Sequence, residues 1–290
     1  PCKDNGEVDL QQVKDAVIQV LEAIPRDKNH RTIVVKSTVP PGTCLTVIRP
    51  LIDAKRFNGS SIGLVSNPEF MREGMCWEDF MNPSRIVIGS ADIRDEDLLK
   101  QIYEPIKAPV HLLSTNGAEF SKYLSNVMLA TMISFSNEMA HAAKCFGDVD
   151  IVKSFEALHD DHRLKNSGIS SYIYPGCGYG GYCLPKDIKA FTKALSMAGY
   201  TSMLLETVIN INDIVIGRLC DEICDSIDVS STIGVLGLAF KPGTDDVRDT
   251  ASYYVIRTLI DRGYLNIIAY DPIALEKFKN SYPELNISYS

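Results

Sequence analysis

Between residues 178 and 187 the sequence reads Gly-Tyr-Gly-Gly-Tyr-Cys-Leu-Pro-Lys-Asp. Glycines let backbone approach a ligand closely, and successive N–H groups can cradle an anion. Pro185 suits the first turn of a helix, where its missing N–H costs nothing. Cys183 therefore stands at a helix start, where the dipole and Lys186 favour thiolate over thiol. Asp187, in the same turn, can hold a water or accept a proton. The plainer alternative is a Gly-rich structural loop with an inert buried cysteine.

Other residues have spacings that suit chemistry. Lys122 and Asn126 are four apart in a long helical pattern and share one face; a solvated Glu119–Lys122 pair is the bland alternative. Glu69 and Glu73 follow a strand end, as do Ser37 and Thr38, and open α/β sheets place ligands at such ends. Thr38 could hold a water, although Thr is common at strand ends. The alternative for the two glutamates is a capping or solvated pair. Lys241 and Arg248 flank Gly243-Thr-Asp-Asp246, which could equally be a plain turn. His159-Asp-Asp-His162 has a zinc-like spacing, but two further ligands are not evident, so no metal is expected.

Composition narrows the partners. A formal net charge of -8 over 290 residues argues against nucleic acid or anionic membrane. Eight cysteines without a CxxC pair suggest reduced intracellular thiols. No apolar run is long enough to span a bilayer and no leader opens the chain, so a soluble, cytoplasmic protein is expected.

The elements that must position these groups read as α/β, with largely parallel strands. A helix is expected over residues 8–24, then strands at 32–39, 61–66, 85–89 and 110–113. A long helix over 118–145 is apolar on more than one side (Phe120, Leu124, Val127, Met128, Ile133, Phe135, Met139), so it is expected to be buried between domains or against a second copy. A helix follows at 151–158, then an irregular stretch over 160–184. Helical pattern then runs to about 227, broken at Gly199-Tyr200. A strand at 232–240, a helix at 250–262 and a strand at 266–270 complete the chain. The division expected is residues 1–114, the back half of a nucleotide-binding domain; 115–229, a helical dimerisation domain; and 230–290, a second nucleotide-binding domain. No GxGxxG occurs, and a doubly wound domain normally opens with one. The chain therefore reads as truncated at both ends.

The decapeptide at 178–187 resembles the catalytic-cysteine signature of the UDP-glucose 6-dehydrogenase family, particularly its short bacterial members. KSTVPPGT (36–43), NPEFMREG (67–74), NPSR (82–85), EFSKYLSN (119–126) and FKPGTDDVRDT (240–250) resemble further blocks of that family, in order. The resemblance implies two Rossmann-like domains, both incomplete here, joined by a long central helix. It implies NAD as cofactor, UDP-glucose or a related nucleotide sugar as substrate, and a homodimer. The reaction would be a twofold oxidation of a primary alcohol, with the aldehyde captured by a thiolate and the thioester hydrolysed.

Residue roles follow from the same resemblance. Cys183 is the nucleophile, Lys122 stabilises the oxyanion or moves a proton, and Glu69 is the acid/base of thioester hydrolysis. Asp187 and Thr38 hold water, and Asn126 orders the sugar. Ser37, Thr38, Val39, Glu73, Lys186 and Arg248 contact the cofactor. Glu69, Lys122, Asn126, Tyr174, Gly178, Tyr179, Gly180 and Lys241 contact the substrate, and Arg163 reaches it from the neighbouring subunit. Tyr182 replaces the small residue common before the cysteine, as in the short bacterial members; no role emerges for Cys177. GDP-mannose 6-dehydrogenase is the nearest alternative, and UDP-N-acetylmannosamine dehydrogenase a more distant one, because that branch typically has His before the Cys. An inactive sugar-nucleotide-binding or dimerisation fragment is the alternative of another class.

Overall fold

A computed structural model describes residues 3, 6–25, 27–55, 61–165 and 168–290. The chain divides into two compact units, residues 1–125 with 193–200, and residues 126–192 with 201–290.

The first unit begins with helix α1 (Gln11–Ala23), which buries Val17 and Leu21. Strand β1 (His30–Val35) follows, then a π-helical turn (Cys44–Ile48) that runs into α2 (Arg49–Lys55). Next come β2 (Ser61–Ser66), the short α3 (Cys76–Met81), β3 (Ile86–Gly89), α4 (Ile93–Tyr103) and β4 (Val110–Leu113). The sheet order is β1-β2-β3-β4. β1 runs parallel to β2 and β3 parallel to β4, but β2 meets β3 antiparallel at Ser66 and Gly89. The strand expected over 32–39 stops at Val35, whose carbonyl accepts the Asn67 N–H at 2.9 Å. Pro40 and Pro41 lie just beyond and have no N–H to extend a ladder. The core on one side of β1 gathers Val17, Leu21, Ile33, Val35, Val39, Cys44, Ile48, Ile52 and Leu64. Burial of this set supplies the main force holding α1 and α2 to the sheet.

Helix α5 (Thr115–Ala143) starts in the first unit and continues in the second. The second unit adds α6 (Ile151–His159), most of α7 (Cys183–Met197) and α8 (Met203–Ser226). Its sheet is parallel, in the order β5 (Ile233–Leu236), β6 (Ile267–Tyr270), β7 (Ser288–Tyr289), with α9 (Ala251–Asp261) and α10 (Leu275–Ser281) between strands. Strand β5 is shorter than the expected 232–240, because Gly237 takes φ +94° and turns the chain. Leu238, Ile256, Leu259, Ile267, Ala269 and Phe278 are fully or almost fully buried in its core. Asp271, just past β6, accepts N–H bonds from Leu238, Ile273 and Ala274 at 2.7–2.8 Å, tying the β5 turn to the start of α10. Among the described residues no helix is long and apolar enough to cross a membrane. The architecture is α/β with a long central helix, as expected.

Candidate active site

In the first unit the strand-end groups converge on the start of α5. Lys122, 5% exposed, forms an ion pair with Glu69 at 3.2 Å. Glu69 also accepts the Met71 N–H at 2.6 Å, which fixes its carboxylate within the loop after β2. That loop is irregular, so the spacing of Glu69 and Glu73 is not a helical one. Phe70 lies between two cations: the Arg85 guanidinium is 3.8 Å from its ring centroid and the Lys122 ammonium 5.4 Å. Arg85 also donates to Ser125 Oγ at 3.1 Å, and burial pulls its pKa down. The bland Glu119–Lys122 surface pair does not occur. Glu119 is buried and turns instead to the Gly42–Cys44 backbone. Ser37 is exposed and Thr38 half-buried, while the Val39 side chain belongs to the core, leaving only its backbone for a ligand.

In the second unit Cys183 is the first residue of α7 and is exposed, which excludes the inert buried cysteine. The loop before it is packed as tightly as glycine allows. A Cβ on Gly178 would meet the Asn212 side chain, one on Gly180 the Asp249 carbonyl, and one on Gly181 the Phe240 ring. Gly178 and Gly181 also take φ of +83° and +75°, which L side chains rarely adopt. Asn212 clamps the loop through both faces of its amide, accepting the Tyr179 N–H at 2.7 Å and donating to the Tyr179 carbonyl at 3.1 Å. Tyr179 itself is buried, and burial pushes its phenol pKa up.

Asp187, 1% exposed, receives Asn126 Nδ2 on one oxygen at 2.6 Å and Lys186 on the other. Lys186 thus forms an ion pair with Asp187. Each carboxylate oxygen keeps a second lone pair, enough to orient a water. Arg248 forks onto Asp246 at 2.7–3.0 Å, and its guanidinium stands 4.7 Å from the Tyr182 ring centroid. Lys186 lies 5.6 Å from the same ring, so the tyrosine before the cysteine contacts both cations. Lys241 is half-buried, 5.4 Å from the Phe240 ring.

Arg163 is exposed and paired with Asp161, and Tyr174 packs at 6.1 Å on Phe155. His159 bonds the Ile173 carbonyl at 2.7 Å. One group of ligand-type side chains occurs among the described residues, His30, Asp92 and Asp95. Its atoms are already bonded: His30 to Asp95 at 2.7 Å and Ser61 at 2.9 Å, Asp92 to Arg94 at 2.6 Å. The residues that sequence reasoning missed are Phe70, Arg85, Glu119 and Asn212. Phe70, Arg85 and Glu119 sit inside the blocks NPEF, NPSR and EFSKYLSN, which was the available signal; Asn212 had none.

Residues 1–107 match the NAD binding domain of the UDP-glucose/GDP-mannose dehydrogenase family, 116–214 its central domain and 234–290 its UDP binding domain. The UDP-glucose 6-dehydrogenase AglM of Haloferax volcanii is 35% identical over 299 residues, covering 100% of this chain and 68% of that protein. A UDP-glucose 6-dehydrogenase of Rickettsia bellii is 37% identical, covering 100% and 65%. The solved structure of a UDP-glucose dehydrogenase from Pyrobaculum islandicum superposes with a TM-score of 0.89 at 37% identity, covering 100% of this chain and 66% of that one. The chain spans about two thirds of the length of the curated relatives it matches. Three consecutive domain matches, full-length similarity and a shared fold lead to one assignment: the chain belongs to the UDP-glucose/GDP-mannose dehydrogenase family.

Proposed function

We propose that the chain serves NAD-dependent oxidation of UDP-glucose to UDP-glucuronate, with Cys183 as the covalent nucleophile. The observation that carries this reading is an exposed cysteine at a helix start, in a loop that only glycines permit, four residues before a buried and doubly held Asp187. When bound, NAD+ accepts a hydride, once per oxidation step. The exposed Ser37 hydroxyl and half-buried Thr38, at the carboxyl end of parallel strand β1, fit the polar contacts such a cofactor needs.

The first oxidation takes a hydride and a proton from the C6 alcohol and leaves an aldehyde. The Cys183 thiolate adds to that carbonyl, giving a thiohemiacetal whose carbon still bears a C–H. Loss of that hydrogen as hydride, with the hydroxyl proton, gives a thioester. Water then attacks, the C–S bond breaks, and acid and thiol are released. Lys122, with a buried ammonium, suits stabilisation of the oxyanion. Glu69, paired with it, suits proton transfer to and from the attacking water. Asp187 and Thr38 suit holding that water, Asn126 the sugar, and Lys241 and the 174–180 loop the rest of the substrate. Glu73, Lys186 and Arg248 are assigned to the cofactor.

Cys183→Ser tests the mechanism. Acid formation should fall by about 10³-fold or more, while calorimetry finds UDP-glucose affinity within a few-fold of normal. Near-normal turnover by the serine variant would sink the thioester route. Turnover of GDP-mannose in preference to UDP-glucose would reassign the substrate and leave the chemistry intact.

The assembly proposed is a homodimer seated on α5. Phe120, Leu124, Met128, Phe135 and Met139 are 40–54% exposed. Their spacing along the helix places them in one stripe about 100° wide. Arg163, exposed in its own protomer, is then available to the second copy's substrate.

A further inference from the structure

The π-helical turn at Cys44–Ile48 has no local cap. Its preceding residue, Thr43, spends its hydroxyl on the Pro40 carbonyl at 2.6 Å and makes no side-chain bond to the helix start. The N–H groups there go to a carboxylate from far along the chain. Glu119 Oε2 accepts the Gly42 N–H at 2.6 Å, and Oε1 accepts the Cys44 N–H at 2.8 Å. Between them, the Thr43 N–H donates to the Pro40 carbonyl at 3.1 Å. Glu119 is only 2% exposed, so these bonds are made without competition from water. A buried carboxylate with two backbone donors is far better than a hydrophobic residue there, which would leave both N–H groups unsatisfied.

One turn later on the same helix, Lys122 pairs with Glu69. The start of α5 therefore fastens both loops of this rim: the one after β1 through Glu119, and the one after β2 through Lys122. Ser37 and Thr38 lie between the end of β1 at Val35 and the anchored Gly42. Their position depends on both ends of a short segment stiffened by Pro40 and Pro41.

We propose that Glu119 is a positioning residue, which anchors the 40–44 turn so that Ser37 and Thr38 meet the cofactor in register with Lys122. This inference rests on the reading of that rim as the cofactor's. Glu119 touches no reacting atom; it acts through the turn. A capping residue within the turn would hold the helix start equally well but would not tie it to the helix that carries Lys122.

Glu119→Gln keeps the size and one acceptor but presents a donor to a donor. It should weaken NAD+ binding by about tenfold in calorimetry, and leave UDP-glucose affinity within about twofold. Hydrogen exchange at the Gly42, Thr43 and Cys44 amides should accelerate. Glu119→Asp, which keeps the charge but retracts by one methylene, should show the same pattern to a smaller extent and covers the case where the amide does not fold. Leu21→Ala, in the same unit's core, serves as the stability-matched comparison and should change neither NAD+ affinity nor exchange at those three amides beyond its global effect. Equal loss of NAD+ affinity in Leu21→Ala and the Glu119 variants would reduce Glu119 to a structural residue and overturn the proposal. So would open amides with unchanged NAD+ affinity. Failure of the unaltered protein to bind NAD+ would refute the cofactor reading itself; the exchange comparison then decides the anchor separately, and unchanged protection at 42–44 would refute that too.

Discussion

Asp187 and Glu119 are both buried carboxylates, yet their surroundings treat them differently. Asp187 has a side-chain amide and an ammonium for partners; Glu119 has backbone N–H groups and the Cys44 thiol. Burial pushes the Glu119 carboxyl pKa above its ordinary value, and the bonds from the Cys44 thiol and the backbone N–H groups offset only part of this. The folded chain then holds that proton more tightly than the unfolded chain. Its contribution to stability is fully present below about pH 4.3, the ordinary glutamate pKa, and declines as pH rises through the raised value. Urea unfolding across this range should show that slope in the native protein and lose it in Glu119→Gln; equal slopes would contradict it. Cys44, packed against Glu119, has its thiol pKa raised too far to contribute in this range. For Asp187, Asn126→Ala removes one partner from a buried carboxylate and should cost about 1–3 kcal/mol, read as a lower Tm. An unchanged Tm would mean that the Asn126 bond is dispensable to the fold.

At the scale of elements, the cysteine loop is held by its glycines. Gly181→Ala would drive a methyl group into the Phe240 ring, at 2.6 Å, from a backbone with φ +75°. A loss of about 1–3 kcal/mol is expected, with a larger fall in turnover than in Tm alone would explain. Normal turnover would mean that the loop has more freedom than its packing indicates. Much of the element order was readable: β2 and β4 have the expected bounds, α6 differs by one residue at its end and α9 by one residue at each end. Helix α4 went unread although Asp92 caps its N-terminus and Asp95 and Glu96 sit in its first turn, a complete start signal. The antiparallel contact of β2 with β3 left no mark in the hydrophobic pattern, because both strands are largely buried and lack alternation. Candidate site residues stood out in the sequence where they lay in compact blocks. Glu119's role was not, because its partners lie 75 and 77 residues away.

For the whole molecule, the apolar stripe on α5 is the feature that asks for a partner. A dimer seated there should dissociate when Leu124 and Phe135 are both replaced by Lys, since each copy would bring two charges into an apolar seam. Light scattering at micromolar concentration should change from dimer to monomer mass. A monomer in the unaltered protein, with activity retained, would count against both the dimer and the role given to Arg163. The net charge of -8 gives no general attraction for an anion, so capture of the proposed nucleotide sugar would rely on local cations such as Lys122, Lys241 and Arg248.

Among the described residues two thiols are buried, and this has a practical consequence. Cys44 lies in the core of the first unit and Cys220 in that of the second, each with no exposed surface, whereas Cys76, Cys145, Cys177 and Cys183 are exposed. A short pulse of alkylating reagent therefore marks the surface thiols at once and reaches each interior thiol only when its own unit opens. Mapping those two adducts along a denaturant series would give separate melting curves for the two halves of one chain, without introducing a single probe.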